Sequence, residues 1–509
     1  MVDEEPEEGP RPALQVIVLG SGGGPQENNI TALLVRSLDS GWSRGSIVAV
    51  DAGIHLSGII HILEQTQPQG LGVDIQLPHI LESGPFAGLE IHSRWPSTNA
   101  AAITRQLIDT YLITHPHMDH ISGFVINTAG LPGTRPKRLA GLPSTISAFK
   151  THIFNNVIWP NLSDENNGAG LVTYTRLVEG GSPALGEGAG KGFLEMTDGL
   201  AVKVFGVSHG HCMERHVHRG SASSSRIGSA DLSTMSPRGA PGSGAASGPS
   251  SLFRNASIAR SSGGASQEQE HICVYDSSAY FIRDHASGKE VLIFGDVEPD
   301  TISLSPRNLV VWKEAAPKIA SGHLAAIFIE CSYNDSQTND RLFGHQAPRF
   351  IIEELETLAD EVETVRQMPP KLDTTKKRKR DMEDAVRRAR LIARSVPDEQ
   401  PVSPKSTKVK PVFSGSDTES SPSTPHLATP TAELSLKDLD PTMSASLPQK
   451  PRNLKPLKGL KVVIIHVKDN FSELEPAGDT ILSELLEHEM YADLGCEFLI
   501  SSKGGSFLF

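Results

Sequence analysis

The stretch Thr114-His115-Pro116-His117-Met118-Asp119-His120, continued by Ile121-Ser122-Gly123, decides how this chain is read. It follows the apolar run Tyr111-Leu112-Ile113, whose composition predicts a buried strand. Side chains of an extended segment alternate faces, so His115 and His117 project to the same side. Asp119 and His120 come after the strand, where an aspartate can also cap the helix that follows. Nitrogen and oxygen ligands thus converge from one turn in two pairs. Two adjacent divalent cations suit such pairs better than one, because a single tetrahedral ion rarely takes four consecutive side chains. The plain alternative is a His-rich surface turn without metal. The HxHxDH spacing after a strand, with further His and Asp downstream, argues against it.

This pattern resembles the metallo-β-lactamase superfamily. The window HPHMDHISGFVINT, from His115 to Thr128, resembles more narrowly the class II cyclic-nucleotide phosphodiesterases. That family usually has Leu at the position of Met118, a smaller aliphatic at Phe124 and Ser at Thr128, and none of these three is a candidate ligand. The blocks LGSGGGP, VSHG, LIFGDVEPD, IFIECSY, LFGH and IIHVK appear in the family's order. The resemblance implies an α+β fold of four layers, an αββα sandwich with two sheets face to face and helices outside. Periodicity by itself supports only mixed α and β.

The resemblance also implies a ligand set. His115, His117 and His209 would hold one divalent cation, Asp119, His120 and His466 the other, and Asp296 would bridge them. Asp51, at the end of the strand Ile47-Val48-Ala49-Val50, would support the site from behind; read alone it is an ordinary turn residue. Imidazole and carboxylate suit Zn²⁺, Mn²⁺ or Fe²⁺, and zinc is the expected metal. Two such ions about 3.5–4 Å apart activate water near neutral pH and withdraw charge from a phosphoryl oxygen. Asp119, Glu330 and His345 are the candidate catalytic residues. Glu330 ends a predicted strand and His345 precedes a predicted helix, so each also has a structural reading, as a buried carboxylate paired with a histidine and as a helix-capping turn. His211 is a spare candidate beside His209. His323 stands at the other end of the strand that Glu330 closes and reads as structural. The implied substrate is cyclic AMP, with cyclic GMP the second choice.

Composition bounds the rest. The 509 residues carry a formal net charge of −13, which argues against generic binding to a nucleic-acid backbone. Cys212, Cys273, Cys331 and Cys496 are scattered without a CxxC pair, so neither a disulfide framework nor a thiolate zinc site is expected. No apolar run approaches membrane-spanning length, and residues 1–12 form an acidic tail without a signal-peptide pattern. A soluble cytoplasmic protein is the expectation, with Lys376–Arg380 (KKRKR) as a candidate nuclear import signal or a plain solvated charge run.

Along the chain, residues 14–19 and 47–50 predict strands, and 30–35 a second strand between them. Gly20-Ser21-Gly22-Gly23-Gly24 lacks the Lys-Ser/Thr of a phosphate loop, and its glycines are read as letting the backbone pass close to the site. Helices are expected within 54–107, then a short strand at 139–143 and a helix from a Ser144 cap to Trp159. A strand at 200–207 delivers His209, and residues 272–275 with 279–282 read as a hairpin. Strands at 290–294, 324–330, 460–466 and 496–500 alternate with helices at 309–319, around 350–355 and at 480–494. One domain is expected over 13–509, interrupted by disordered insertions at 214–269 (Ser/Gly-rich) and 366–455 (charged, then Ser/Thr/Pro-rich).

Rival readings share part of this pattern. A tRNA 3′-end endonuclease of the same superfamily typically has Gly at Met118 and needs a basic arm, which the sequence does not offer. A β-lactamase or thioester hydrolase would lack IFIECSY and LFGH. A non-enzymatic scaffold would tolerate loss of a ligand, and all seven residues are present.

Overall fold

Alternation along the strands sets the architecture. In β1 (Leu14–Gly20), Leu14, Val16 and Val18 enter one core while Ile17 and Leu19 enter another. A strand buried on both faces reads as an unbroken apolar run, which is why this one was legible. The computed structural model describes residues 11–133, 135–212, 273–368, 455–472 and 475–509. All elements described here belong to one unit, Met1–Gln367 with Asn453–Phe509. Of the second unit, Met368–Arg452, only Met368 is among the described residues.

The first sheet contains β1, β2 (Ala32–Ser37) and β3 (Ile47–Val50), while β4 (His79–Ile80) and β5 (Glu90–Ile91) pair apart from it. It continues with β6 (Ile108–Leu112), β7 (Lys137–Gly141) and β8 (Val172–Arg176). The second sheet comprises β9 (Leu194–Thr197), β10 (Leu200–Cys212), β11 (Cys273–Asp284), β12 (Glu290–Phe294), β13 (Leu324–Glu330), β14 (Lys461–Ile465) and β15 (Glu497–Ile500). The closing strand β16 (Ser506–Leu508) returns to the first sheet and pairs antiparallel with β1. Strand order is β16-β1-β2-β3-β6-β7-β8 in one sheet and β15-β14-β13-β12-β11-β10-β9 in the other.

Three cores separate four layers. Val16, Val35 and Val50 of the first sheet meet Val204, Tyr280, Ile293 and Phe328 of the second. The outer face of the first sheet is covered by α1 (Leu56–Thr66), α2 (Pro96–Gln106), α3 (Met118–Gly130) and α4 (Pro143–Ala148). The outer face of the second is covered by α5 (Asn308–Ala320), α6 (Pro348–Gln367) and α7 (Ala477–Ala492). In α6 the buried residues Ile351, Ile352, Leu355, Leu358, Ala359 and Val362 recur at three- and four-residue steps, one apolar stripe facing the sheet. This is the αββα sandwich that the resemblance implied.

Strand direction positions the site. β3 and β6 run parallel, as do β12, β13 and β14. Asp51, His115, Asp296, Glu330 and His466 all lie at the carboxyl ends of those strands, where open α/β sheets usually place ligands.

Several local expectations are corrected. Residues 273–284 form one continuous strand rather than a hairpin; Ser277 and Ser278 read as a turn but are buried in the ladder, and Ser278 Oγ donates to Thr114 O at 2.9 Å. β10 does not end at Val207 but runs to Cys212 through a bulge between Ser208 and His211. Ser144 is no cap, because Pro143 already occupies the first turn, and the helix closes in a π-turn at Phe149–Ile153, short of Trp159. Asp119 does not cap α3; His117 holds that position in extended conformation. Short edge strands β8, β9 and β16 went unread. Arg366 and Lys455, the expected limits of the second insertion, are described residues, and Arg366 belongs to α6. Residues 369–454, the expected insertion 214–269 and the acidic residues 1–10 lie outside the described residues.

Candidate metal centre

The HxHxDH stretch divides where strand becomes helix. His115 and His117 leave β6 in extended backbone, and Asp119 and His120 fall in the first turn of α3, where the helix dipole favours a carboxylate. Phe124 holds that helix in place: it is fully buried and packs on Tyr111 with ring centroids 4.7 Å apart. Truncating such a side chain to alanine costs about 3–5 kcal/mol and would shift the turn.

Each imidazole is oriented by a partner behind it. His120 Nδ1–H donates to Asp51 Oδ2 at 2.8 Å, which turns Nε2 toward the centre. The same Asp51, in left-handed conformation at φ 54°, also accepts from Thr114 N–H and Thr114 Oγ1–H, both at 2.8 Å. Thr114 Oγ1 in turn lies 3.1 Å from His115 Nδ1. His209, in the β10 bulge, donates from Nδ1 to Gly344 O at 2.9 Å. His466 Nδ1 lies 3.0 Å from Ser332 Oγ, whose hydroxyl donates to Glu330 Oε2 at 2.6 Å. His466 also sits against the glycine run: a Cβ on Gly23 would lie 2.4 Å from its Nδ1, so the close backbone approach read from sequence is present.

The other nitrogens converge on Asp296. Its Oδ2 lies 3.6 Å from His115 Nε2 and 3.5 Å from His209 Nε2. Its Oδ1 lies 3.2 Å from His120 Nε2 and 3.3 Å from His466 Nε2. His115 Nε2 and His117 Nδ1 are 2.9 Å apart, and His466 Nε2 is 3.3 Å from Asp119 Oδ2. Ligand atoms of His115, His117, His209 and Asp296 therefore form one cluster, and those of Asp119, His120, His466 and Asp296 a second. A third grouping joins His209, Asp296, Glu330 and His345. Asp296 Oδ1 is buried yet makes no directed hydrogen bond, although two imidazole nitrogens flank it. Ligand atoms of several imidazoles and carboxylates gathered this closely fit cations. The donor set, imidazole and carboxylate, fits divalent ones.

Electrostatics agree with that fit. Burial, aided by neighbouring imidazoles, holds His115 well below its usual range and His117 at about 4, so both offer lone pairs at neutral pH. Burial also lowers His209. His120 goes the other way: burial opposes its charge, but the carboxylates of Asp296 and Asp51 outweigh it and raise the ring well above its usual range. Asp296 is likewise buried, yet the surrounding imidazoles hold it ionised. Around His120 the carboxylates of Asp296 and Asp51 therefore favour positive charge.

Glu330 and His345 stand together beside the clusters. His345 Nδ1 lies 2.9 and 3.0 Å from the two Glu330 oxygens, and the carboxylate also accepts from Val297 N–H at 2.8 Å. With three hydrogen-bond partners already, Glu330 is the weakest ligand candidate of the third grouping. Burial, then the charge of Asp296, raises Glu330 to about 7, and burial lowers His345 to about 4. Both shifts favour uncharged side chains. His345 Nε2 makes no hydrogen bond among the described residues.

All seven candidate ligands and both residues of the Glu330–His345 pair are thus brought to one place. His211 is exposed, outside every grouping. His323 lies at the opposite end of β13. Sequence reasoning missed Thr114, Ser332 and the Gly344 carbonyl; Ser332 follows Glu330 by two residues, the one available signal. No helix among the described residues is long and apolar enough to cross a membrane.

Residues 40–225 and 250–375 match the family model of class-II cAMP phosphodiesterases. His466 lies beyond the matched range, so its arrival at the site is a contribution of the fold. The chain is 28% identical over 359 residues to a 3′,5′-cyclic-nucleotide phosphodiesterase of Schizosaccharomyces pombe, covering 70% of this chain and 78% of that one. It is 26% identical over 392 residues to the enzyme of the same name from Candida albicans, covering 69% and 83%. Its fold matches that of unliganded yeast PDE1 with a TM-score of 0.57 at 20% identity, over 98% of this chain and 99% of that one. The chain belongs to the class-II cAMP phosphodiesterases and is a 3′,5′-cyclic-nucleotide phosphodiesterase.

Proposed function

We propose that this enzyme hydrolyses cyclic AMP, in preference to cyclic GMP, to the 5′-monophosphate at a centre of two divalent cations, zinc in the first instance. His115, His117 and His209 would hold one ion and Asp119, His120 and His466 the other, with Asp296 available to both. The observation that carries the reading is the division of the Asp296 oxygens, Oδ2 facing one imidazole set and Oδ1 the other. When bound, the ions supply Lewis acidity toward water and toward the phosphoryl oxygens. The residues do the rest. Asp119, a carboxylate with a partly exposed side chain, takes the proton of the attacking water. The new P–O bond forms as the bond from phosphorus to the 3′-oxygen breaks. His345, oriented by Glu330, contacts a phosphate oxygen or protonates the leaving 3′-oxygen.

Names of the relatives support the cyclic-nucleotide class, and the family description supports cyclic AMP within it. Residues 13–509 are read as one domain, with residues 214–269 and, cut back from 366–455 to leave α6 and Asn453 onward outside it, 369–452 as insertions. Their flanks support this: Cys212 pairs with Cys273 across two adjacent strands, and Arg366 donates to Pro456 O at 2.8 Å. The reading places the enzyme in the cytoplasm, with Lys376–Arg380, outside the described residues, as a candidate import signal.

The test is turnover of equal enzyme on cyclic AMP, cyclic GMP and a 3′-extended tRNA, before and after chelation, with metal analysis. Faster turnover of cyclic AMP, lost on chelation, is expected. Undiminished turnover after exhaustive chelation, or a preference for cyclic GMP, overturns the proposal. His345→Ala should reduce turnover by roughly a hundredfold or more with metal retained.

A further inference from the structure

The metal centre occupies the carboxyl ends of the strands, and a cavity of about 560 Å³ lies at the other end of the second sheet. Lys203 opens the stretch of β10 that ends at His209, Glu290 begins β12, and His323 precedes β13. At about 3.3 Å per residue, the six steps from Lys203 to His209 put the cavity roughly 20 Å from the metal centre. Its size falls within the range of small-ligand pockets, roughly 300–1,000 Å³.

Charge around this cavity does not balance. Arg283 pairs with Glu290 at 2.8 Å, Lys318 with Glu290 at 2.8 Å and with Glu314 at 3.3 Å, and Lys203 with Glu314 at 2.8 Å. Three cations share two carboxylates in one network. Lys203 and Lys318 are each only 9% exposed and Glu290 is inaccessible, so water does little to screen the surplus positive charge. A buried charge without a counter-charge is costly. The ring of Phe193, with Lys318 Nζ 4.7 Å and Lys203 Nζ 5.2 Å from its centroid, offsets only part of it. At the mouth, Lys191 adds a further positive charge and has no side-chain partner among the described residues. The wall between them requires a glycine: Gly192 has φ 86°, and a Cβ there would lie 2.9 Å from Lys203 Cε.

We propose that this cavity binds a small phosphate-bearing dianion. Two surplus positive charges match a phosphate group at neutral pH, and Lys191 closes over it from the loop. The site is independent of the metal centre, and its loss leaves the catalytic residues untouched.

The test is mass-spectrometric lysine acetylation of the full chain, titrated with inorganic phosphate at constant ionic strength. At ten times the dissociation constant, Lys191 should react roughly tenfold more slowly, by mass action. The exposed Lys458, which does not line the cavity, serves as control. Lys203→Met and Arg283→Met should abolish the protection. Equal change at Lys191 and Lys458, or protection that survives both substitutions, overturns the proposal. Because either buried substitution can impair folding, the exposed Lys191→Ala variant provides a second measurement. By equilibrium dialysis with labelled phosphate it should bind one equivalent fewer than wild type while turning over cyclic AMP normally. Unchanged stoichiometry would equally overturn it.

Discussion

The two sheets contribute to the metal centre in different ways. The first supplies His115, His117, Asp119 and His120 from one strand-to-helix turn, where local chain geometry sets their spacing. The second supplies His209 from a strand bulge and Asp296 and His466 from two strand ends, so their meeting depends on the register of β10 through β14. His120 and His466 lie 346 residues apart in the chain and 3.2 Å apart in the fold. A local device is cheap to specify, because few residues must agree. A distributed one needs the whole sheet, and it is tied down accordingly by Ser332, Glu330 and the Gly344 carbonyl.

The sharpest break in the comparison comes from Asp296, whose two oxygens face both ligand sets. Asp296→Ala should lower turnover by on the order of 10³ or more and release both metal ions, whereas His117→Ala should release chiefly one. Metal content by elemental analysis separates the two variants. Equal metal loss would show that the two sets are not distinct sites.

Next come the residues behind the ligands. Asp51→Asn on the first sheet and Ser332→Ala on the second should each cost about 10–100-fold in kcat/KM. Asp51 should prove the more sensitive, since it holds Thr114 at two points as well as His120. A larger loss for Ser332→Ala would mean that the distributed half is the less rigid.

A smaller effect concerns stability and pH. His55 is buried against Tyr111, 2.9 Å from its hydroxyl, and burial, with Lys137 adding to it, lowers its pKa from 6.5 to about 3. Between those values the unfolded chain binds the proton and the folded chain does not. This group's contribution is therefore present above pH 6.5 and declines as pH falls toward 3, by about 1.4 kcal/mol per pH unit. In urea titrations of metal-free protein between pH 6.5 and 5, His55→Gln should flatten the wild-type slope by about one proton. A parallel slope would return His55 to a neutral role. Glu330 on the second sheet has the opposite sign, since its pKa is raised to about 7 and its contribution fades as pH rises through that value.

The least effect is expected from the insertions. Gly/Ser linkers in place of residues 214–269 and 369–452 should leave turnover within about twofold, because each doubling of loop length costs only about 0.6 kcal/mol. Insoluble or inactive protein, beside active wild type, would show that one of them carries structure the sheets need.

By itself the sequence determined the first half of the centre and the two-sided burial of the strands. HPHMDH is contiguous, and runs such as Leu14–Gly20 or Glu290–Phe294 have only one way to be buried. His209, Asp296 and His466 were legible only through resemblance, since nothing local marks a lone His or Asp at a strand end. Continuity of β11 through Asp276-Ser277-Ser278 was decided by the fold alone. Polar residues there read as a turn until Thr114 of the other sheet supplies a carbonyl for Ser278. The role of Ser332 was decided in the same way, whereas that of Asp51 was implied by resemblance and given its partners by the fold. A hydrogen bond that fixes an imidazole is a relation between distant segments, and no spacing along one of them contains it.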